Sequence, residues 1–381
     1  MTFTVWGLTG YGYGLAAGAA ALCYLGIAVW MKRKTRVFAE AVLLYGVLGI
    51  PLGLIVSRVF FCAVNAGYFF ETIAQPIRML SFWDGGFSMA GLLFGLTLAA
   101  LLAAKIRKIR FGALLDAVTL PMGLLLFGLR LAEGFTGELG IGSQVEAGAI
   151  AGNLPFLFVT EQMGALELHR LAVYRYEAAF ALIVFGLMLL LLRSKRNRRE
   201  GDLSLLFFAL YGAGQILFES MRDDGHMVLG FIRVQQVLAL LTVLIVLGVF
   251  CRRFRKLRGA RDAVTAAWTI PPLMAFVFIL MVAPVNHVLD LSGHIPLGIG
   301  ILALFSLYLA FFLRRKGASP RLILTWLIAL LTVAACVMLE FSMDGSGSLL
   351  RDYALLMLCC AVLFLCPFTL WRKLTLEEAD T

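Results

Sequence analysis

Eleven apolar runs, each close to the ~20 residues that a helix needs to cross a bilayer, alternate along this chain with short clusters of lysine and arginine. The runs lie near 11–31, 37–57, 88–104, 111–131, 171–192, 203–220, 230–250, 268–288, 296–313, 322–341 and 353–371. Little chain remains for an extramembrane domain. Of the 381 residues, 61% are hydrophobic and 15% charged, against roughly 45–50% and 25% in a soluble domain, so a soluble globular protein is excluded. The pattern predicts an all-α, polytopic integral membrane protein of about eleven helices.

The formal charge of +10 raises the question of nucleic acid, and the position of the charges answers it. Lys32, Arg33, Lys34 and Arg36 form one cluster, Lys105, Arg107, Lys108 and Arg110 a second, and Arg193, Lys195, Arg196, Arg198 and Arg199 a third. With three further clusters near 252–261, 314–321 and 372–373, they hold 25 of the 33 cationic residues. Counted across eleven spans, every cluster falls on one side, which the positive-inside rule makes cytoplasmic. The N-terminus is then outside, the C-terminus is inside, and nucleic acid is not an expected partner. Met1 to Gly10 shows no small-residue cleavage pattern, so the first run reads as a retained helix. The seven cysteines have no CxxC spacing and no histidine partners, and neither a metal, a cofactor nor a disulfide framework is expected.

Two long stretches, 58–87 and 132–170, fall outside the cytoplasm and hold the candidate chemistry. The eight cationic residues beyond the clusters, Arg58, Arg78, Arg130, Arg170, Arg175, Arg222, Arg233 and Arg351, are all arginine. Arginine's planar fork binds phosphate in bidentate fashion and keeps its charge when buried, so a lipid phosphate is the natural ligand. Pairing with carboxylates, or reaching to the interface, accounts for the rest of such a set. Arg130 ends an apolar span with Glu133 and Glu138 just beyond it. An ionisable group at that depth costs about 2.5–3.5 kcal/mol on the insertion scale and marks a functional site. The same holds for Glu177, and for Glu219 and Arg222, whose i, i+3 spacing predicts that they pair.

Several motifs here, in order, resemble the bacterial prolipoprotein diacylglyceryl transferase family. LIVSRVFFCAVN around Arg58 is similar to that family's GGRLGYVLFYN stretch, and FWDGGFSMAGLL keeps Trp83, Gly85, Gly86, Ser88, Gly91 and Leu92 of WxGGMSFHGGL. LRLAEGFTGE keeps Arg130, Gly137 and Glu138 of GRxGNFxNGE. Tyr176 and Glu177 stand for the end of HPSQLYE, and YGAGQILFESMRDD keeps Tyr211, Gly212, Glu219, Arg222 and Asp224. The resemblance covers about residues 1–251 and implies a seven-helix inner-membrane enzyme, N-terminus outside, with its active site facing the outer leaflet. The implied reaction transfers a diacylglyceryl group from phosphatidylglycerol to the lipobox cysteine of a preprolipoprotein signal peptide, releasing glycerol phosphate. By the same analogy Arg130 holds the lipid phosphate, Glu138 orients it, and Arg222 with Glu219 supports the mouth of the cavity. Arg58, Trp83, Gly85, Gly86, Ser88, Gly137, Tyr176, Glu177, Tyr211 and Gln215 complete the substrate-binding set.

Three family positions are replaced. The histidine of the HGG loop falls on Ala90, the asparagine of GRxGN on Glu133, and the arginine of YGxxR on Gln215. If the reaction is kept, Glu133 takes the thiol proton and Arg58 or Arg175 supplies the second positive charge. The alternatives are a related head-group transfer and a lipid-binding homologue without catalysis. A transporter is the competing class, although the halves show no internal repeat of the kind transporters carry. The chain divides at the basic stretch CRRFRKLRGARD into a transferase-like part, 1–255, and a four-helix addition, 262–381. In the addition, His287, Asp290 and His294 read as a solvated loop, and no role is assigned to it.

Overall fold

A computed structural model describes residues 2–5, 8–31, 37–137, 139–142, 144–145, 155–163, 166–193, 199–229, 232–258, 360–361, 363–372 and 374–375. Of the four spans expected from 268 onward, the first three lie outside these residues, as does Glu138, and the last is described, as helix, at 360–361 and 363–371; Trp83 is described by its backbone only. The chain forms two compact units, Met1–Phe207 with Met221–Leu238, and Phe208–Ser220 with Ala239–Thr381.

The first seven apolar runs become helices. These are α1 (Gly12–Trp30), α2 (Ala39–Val64), α3 (Met89–Arg107), α4 (Phe111–Thr119), α5 (Met122–Glu133), α6 (Val173–Arg193), α7 (Asp202–Met221) and α8 (Val234–Arg258). Six are long and apolar enough to cross a membrane, and α4 with α5 makes a seventh that is bent by 46°. The run at 111–131 is therefore a broken span rather than one helix. The break falls at Leu120 and Pro121, where proline has no N–H to continue the helical ladder and its ring crowds the preceding turn. Outward-facing apolar side chains on these helices, such as Leu22, Val47, Val59 and Ile183, meet lipid rather than a protein core.

Association of apolar helices in lipid depends on close backbone approach and internal hydrogen bonds. Gly91, Gly95, Ala99 and Ala103 form a small-residue stripe along one face of α3, all buried. A methyl group on Gly95 would lie 2.6 Å from the Leu52 carbonyl oxygen, so only glycine lets α2 and α3 touch here. At the other end of the unit, the α4 carboxylate of Asp116 accepts hydrogen bonds from Gly201 N (2.8 Å), Ser204 N (2.9 Å) and Ser204 Oγ (2.7 Å). It caps the start of α7 in place of a local side chain. Tyr24 of α1 donates to the Val118 carbonyl at 2.9 Å and lies 3.0 Å from the Tyr45 hydroxyl, tying α1, α2 and α4 together.

The stretch after α5 holds strands that helical periodicity does not announce. Gln144–Val145, Phe158–Met163 and Leu166–Leu171 form an antiparallel sheet in which Leu166–Leu171 lies between the other two. Thr2–Val5 pairs with Leu8–Tyr11, and Val228–Leu229 pairs with Ile232–Arg233, as short hairpins. The molecule is mostly helical with small extramembrane sheets, and its helices make it a multi-pass membrane protein.

Candidate active site

The site begins in the last turn of α5, where Arg130 and Glu133 occupy one face of the helix. Arg130 Nη1 donates to Glu133 Oε1 at 2.5 Å, and Arg130 Nε lies 3.0 Å from Glu177 Oε2, which α6 supplies. Arg222, the first residue beyond α7, donates to the second oxygen of Glu133 and to Glu177 Oε2 at 3.1 Å. Two guanidiniums and two carboxylates thus close a ring drawn from three elements of one unit, with Arg130 99% buried and Arg222 98% buried. Charge-assisted bonds in a medium of low polarity are strong, and removal of one partner strands the others.

The ring is closed by the loop after α7. Arg222 has extended backbone (φ −74°, ψ 143°), so the helical one-face relation with Glu219 stops short of it. Asp224 Oδ2 lies 3.8 Å from Arg222 Nη1 and accepts the Gly140 N–H at 2.9 Å. Gly140 has φ +73°, and a methyl group there would stand 2.7 Å from Glu133 Oε2, so a side chain is excluded from the wall of the ring. Arg233 donates to the Arg222 carbonyl.

His226 follows in the same loop and was not singled out by sequence. Its ring stacks on Phe61 with centroids 5.3 Å apart, and its Nε2 lies 2.9 Å from the Phe87 carbonyl oxygen. Desolvation lowers the imidazole below its ordinary 6.5, Arg222 pulls the same way, and the Phe87 carbonyl, Asp224 and Glu133 offset only part. Its only sequence signal is its place four residues after Arg222.

Arg58, buried at the end of α2, does different work. It donates to the carbonyls of Arg78 (2.8 Å), Met79 (3.0 Å), Gly85 and Gly86 (3.1 Å). Its guanidinium also lies over the rings of Phe61 and Phe69. Every one of these partners is backbone or aromatic, so Arg58 shapes the loop before α3. Gly85 and Gly86 adopt φ +74° and +71°, conformations that only glycine takes readily. Ser88, fully buried, accepts from Gly91 N at 3.2 Å to cap α3, and its carbonyl accepts from Ser57 Oγ at 2.7 Å.

Arg175 and Arg170 also serve the loops. Arg175 donates to the Phe156 carbonyl at 2.9 Å and to the Tyr174 hydroxyl at 2.9 Å; Arg170 donates to Gly142 O at 3.1 Å and Asp223 at 3.0 Å. The positive charge that stands beside Arg130 is therefore that of Arg222, not of Arg58 or Arg175. Tyr176 donates to the Leu157 carbonyl at 2.5 Å, and Gly137 sits in an open turn at φ +77°. Tyr211, Gln215 and Glu219 belong to the second unit, where all three are buried and Gln215 Nε2 donates to Glu219 Oε1 at 3.4 Å. Among the described residues no cluster of three potential metal ligands occurs.

Comparison with known proteins gives this geometry a context. A family model described as prolipoprotein diacylglyceryl transferase matches residues 1–252. A phosphatidylglycerol–prolipoprotein diacylglyceryl transferase of Clostridioides difficile is 28% identical over 245 residues, 64% of this chain and 91% of the relative. Its namesake in Bacillus velezensis is 27% identical over 263 residues, 69% of this chain and 94% of the relative. The one in Listeria welshimeri is 26% identical over 246 residues, 64% and 86% of the two chains.

Proposed function

Because the chain belongs to the prolipoprotein diacylglyceryl transferase family, we propose that it transfers a diacylglyceryl group from phosphatidylglycerol to the lipobox cysteine of a preprolipoprotein signal peptide. The curated relatives carry that activity in their names. One observation carries the reading to these residues: two buried guanidiniums, Arg130 and Arg222, are held side by side by Glu133 and Glu177.

The product is a thioether, so the C–S bond forms at the glyceryl carbon that loses its bond to phosphate oxygen. The cysteine proton leaves, the C–O electron pair departs with glycerol phosphate, and the phosphate gains negative charge as the bond breaks. Fixed cations aimed at that charge stabilise the transition state more than the ground state. Arg130 and Arg222 supply the two forks. Glu133 and Glu177 keep both forks aimed, and each carboxylate already accepts from two cations. Glu138, next to the open turn at Gly137, orients Arg130 or the bound phosphate. The loop carrying Trp83, Gly85, Gly86 and Ser88, shaped by Arg58, forms the lipid-facing wall with Tyr176. Tyr211, Gln215 and Glu219, which the resemblance adds to the substrate-binding residues, belong to the second unit.

The distribution of basic residues supports an external N-terminus and a site facing the outer leaflet of a bacterial plasma membrane. The family match, which ends at residue 252, supports a transferase part of 1–255 followed by a separate addition at 262–381. Full-length protein in vesicles containing phosphatidylglycerol should add the mass of a diacylglyceryl group to a lipobox peptide, and a Cys→Ser peptide should stay unmodified. No transfer to the cysteine peptide would overturn the reading in favour of another acceptor or a lipid-binding role.

A further inference from the structure

The transfer needs a group that accepts the thiol proton, because thiolate is the nucleophile. The carboxylates around the arginine pair are committed: Glu133 and Glu177 each face two guanidiniums. Asp224 accepts from the main-chain N–H groups of Gly140 and His226 and faces Arg222. Protonating any of them would break charge-assisted bonds that hold the ring. Ala90, in the loop that the resemblance equips with a histidine, has no proton-accepting group.

His226 is different. A carbonyl oxygen can only accept, so the contact with Phe87 O places the ring hydrogen on Nε2. The neutral ring then keeps its lone pair on Nδ1, which has no hydrogen-bond partner among the described residues. Stacking on Phe61 holds the plane. Asp224 joins the histidine to the arginine pair, since its Oδ1 accepts the His226 amide at 3.2 Å while its Oδ2 faces Arg222. The Phe87 carbonyl lies three residues before Ala90, so a histidine from another loop is held against the segment that has lost its own.

We propose that His226, through Nδ1, takes the proton of the incoming lipobox thiol, an assignment that rests on the transferase reading above. The thiol proton passes to Nδ1 and the sulfur pair forms the C–S bond. The C–O pair leaves with glycerol phosphate, and the imidazolium gives its proton to the departing phosphate or to water. The charged groups that set its titration are Asp224 and Arg222 on its own loop and Glu133 at the end of α5, while Arg58 of α2 lies against the same Phe61 ring. Because burial leaves the ring neutral near pH 7, the base form is present in neutral solution and is lost as the medium is acidified.

The test uses full-length protein in phosphatidylglycerol vesicles with two acceptor peptides, one with the lipobox cysteine and one with selenocysteine, whose selenol ionises without a base. In His226→Gln the side-chain amide still donates to Phe87 O, which preserves the loop. With the cysteine peptide the variant should be ~10²–10⁴-fold slower, with a rate that keeps rising to about pH 8.5, where the thiol ionises by itself. With the selenocysteine peptide it should regain most of the wild-type rate. An active wild type with an equally active H226Q overturns the proposal alone, as does a variant slowed equally on both peptides. A wild type inactive on both peptides overturns the transferase reading and the proposal with it.

Discussion

Arg222 reaches the carboxylate of Glu133 across 89 residues of sequence, from the end of α7 to the last turn of α5. Glu133 is already held by Arg130 one turn away on its own helix. Glu133, together with Glu177, thus sets the distance between two cations that burial would otherwise force apart.

Replacing Glu133 by glutamine removes that carboxylate and leaves two buried guanidiniums sharing Glu177. Loss of one partner from a buried ionic cluster costs about 3–5 kcal/mol. Thermal unfolding in detergent should shift downward and transfer should be lost, with Glu133→Asp intermediate in both measurements.

Arg130→Lys keeps the charge and loses the fork. Lysine cannot hold Glu133 and Glu177 from one planar group, so the phosphate position is no longer fixed. The expected loss is ~10²–10³-fold in turnover, read by mass spectrometry of the peptide, while the melting temperature changes less than in Glu133→Gln.

Gly140 and Gly137 share positive φ but not surroundings. A methyl group at Gly140 meets the Tyr174 side chain at 2.6 Å and Glu133 Oε2 at 2.7 Å, whereas at Gly137 it meets nothing within 4 Å. Gly140→Ala should therefore abolish transfer by pushing on the ring. Gly137→Ala adds no clash and carries only the conformational cost, about 1–2 kcal/mol, so its melting temperature should fall less than that of Gly140→Ala, a contrast that one melting curve for each variant will check.

Arg58→Ala removes the donor to four carbonyls between Arg78 and Gly86. The loop should become open to added protease at 76–88 in detergent and transfer should fall with it. Lysine at this position has one amine for four acceptors and should restore little. Asp116→Ala serves as the contrast: it uncaps α7 at about 1–2 kcal/mol, far from the arginine pair, and should lower the melting temperature with transfer retained.

The first seven spans and the burial of Arg130 were legible because each is a property of a short window of sequence: twenty apolar residues, or one charge at the end of such a run. The bend at Pro121 was visible as a residue but not as an angle, since a proline in a span kinks or is tolerated according to its neighbours. Four features could not be read from local pattern. The strands at 144–171 are short and lie in a stretch whose aromatic and polar residues suit a headgroup layer equally well. The partner of Arg130 after Glu133 is Glu177 of another helix, and Arg222 meets those two carboxylates across 89 and 45 residues. Arg58, matched by motif to a substrate role, turns out to be saturated with carbonyl oxygens of its own chain. His226 was missed for the same reason, since Phe87, which positions it, lies 139 residues earlier.

The closed ring also bears on how such a chain enters the membrane from the ribosome. α5 arrives with Arg130 and Glu133 one turn apart, so it is electrically neutral before any partner exists. α6 then brings Glu177, which shares Arg130 with Glu133 until Arg222 emerges at the far end of α7 and balances the second acid. Biogenesis thus passes through one stage with an uncompensated acid, and a nascent chain halted between α6 and α7 should be far easier to extract from the bilayer than one halted after Arg222.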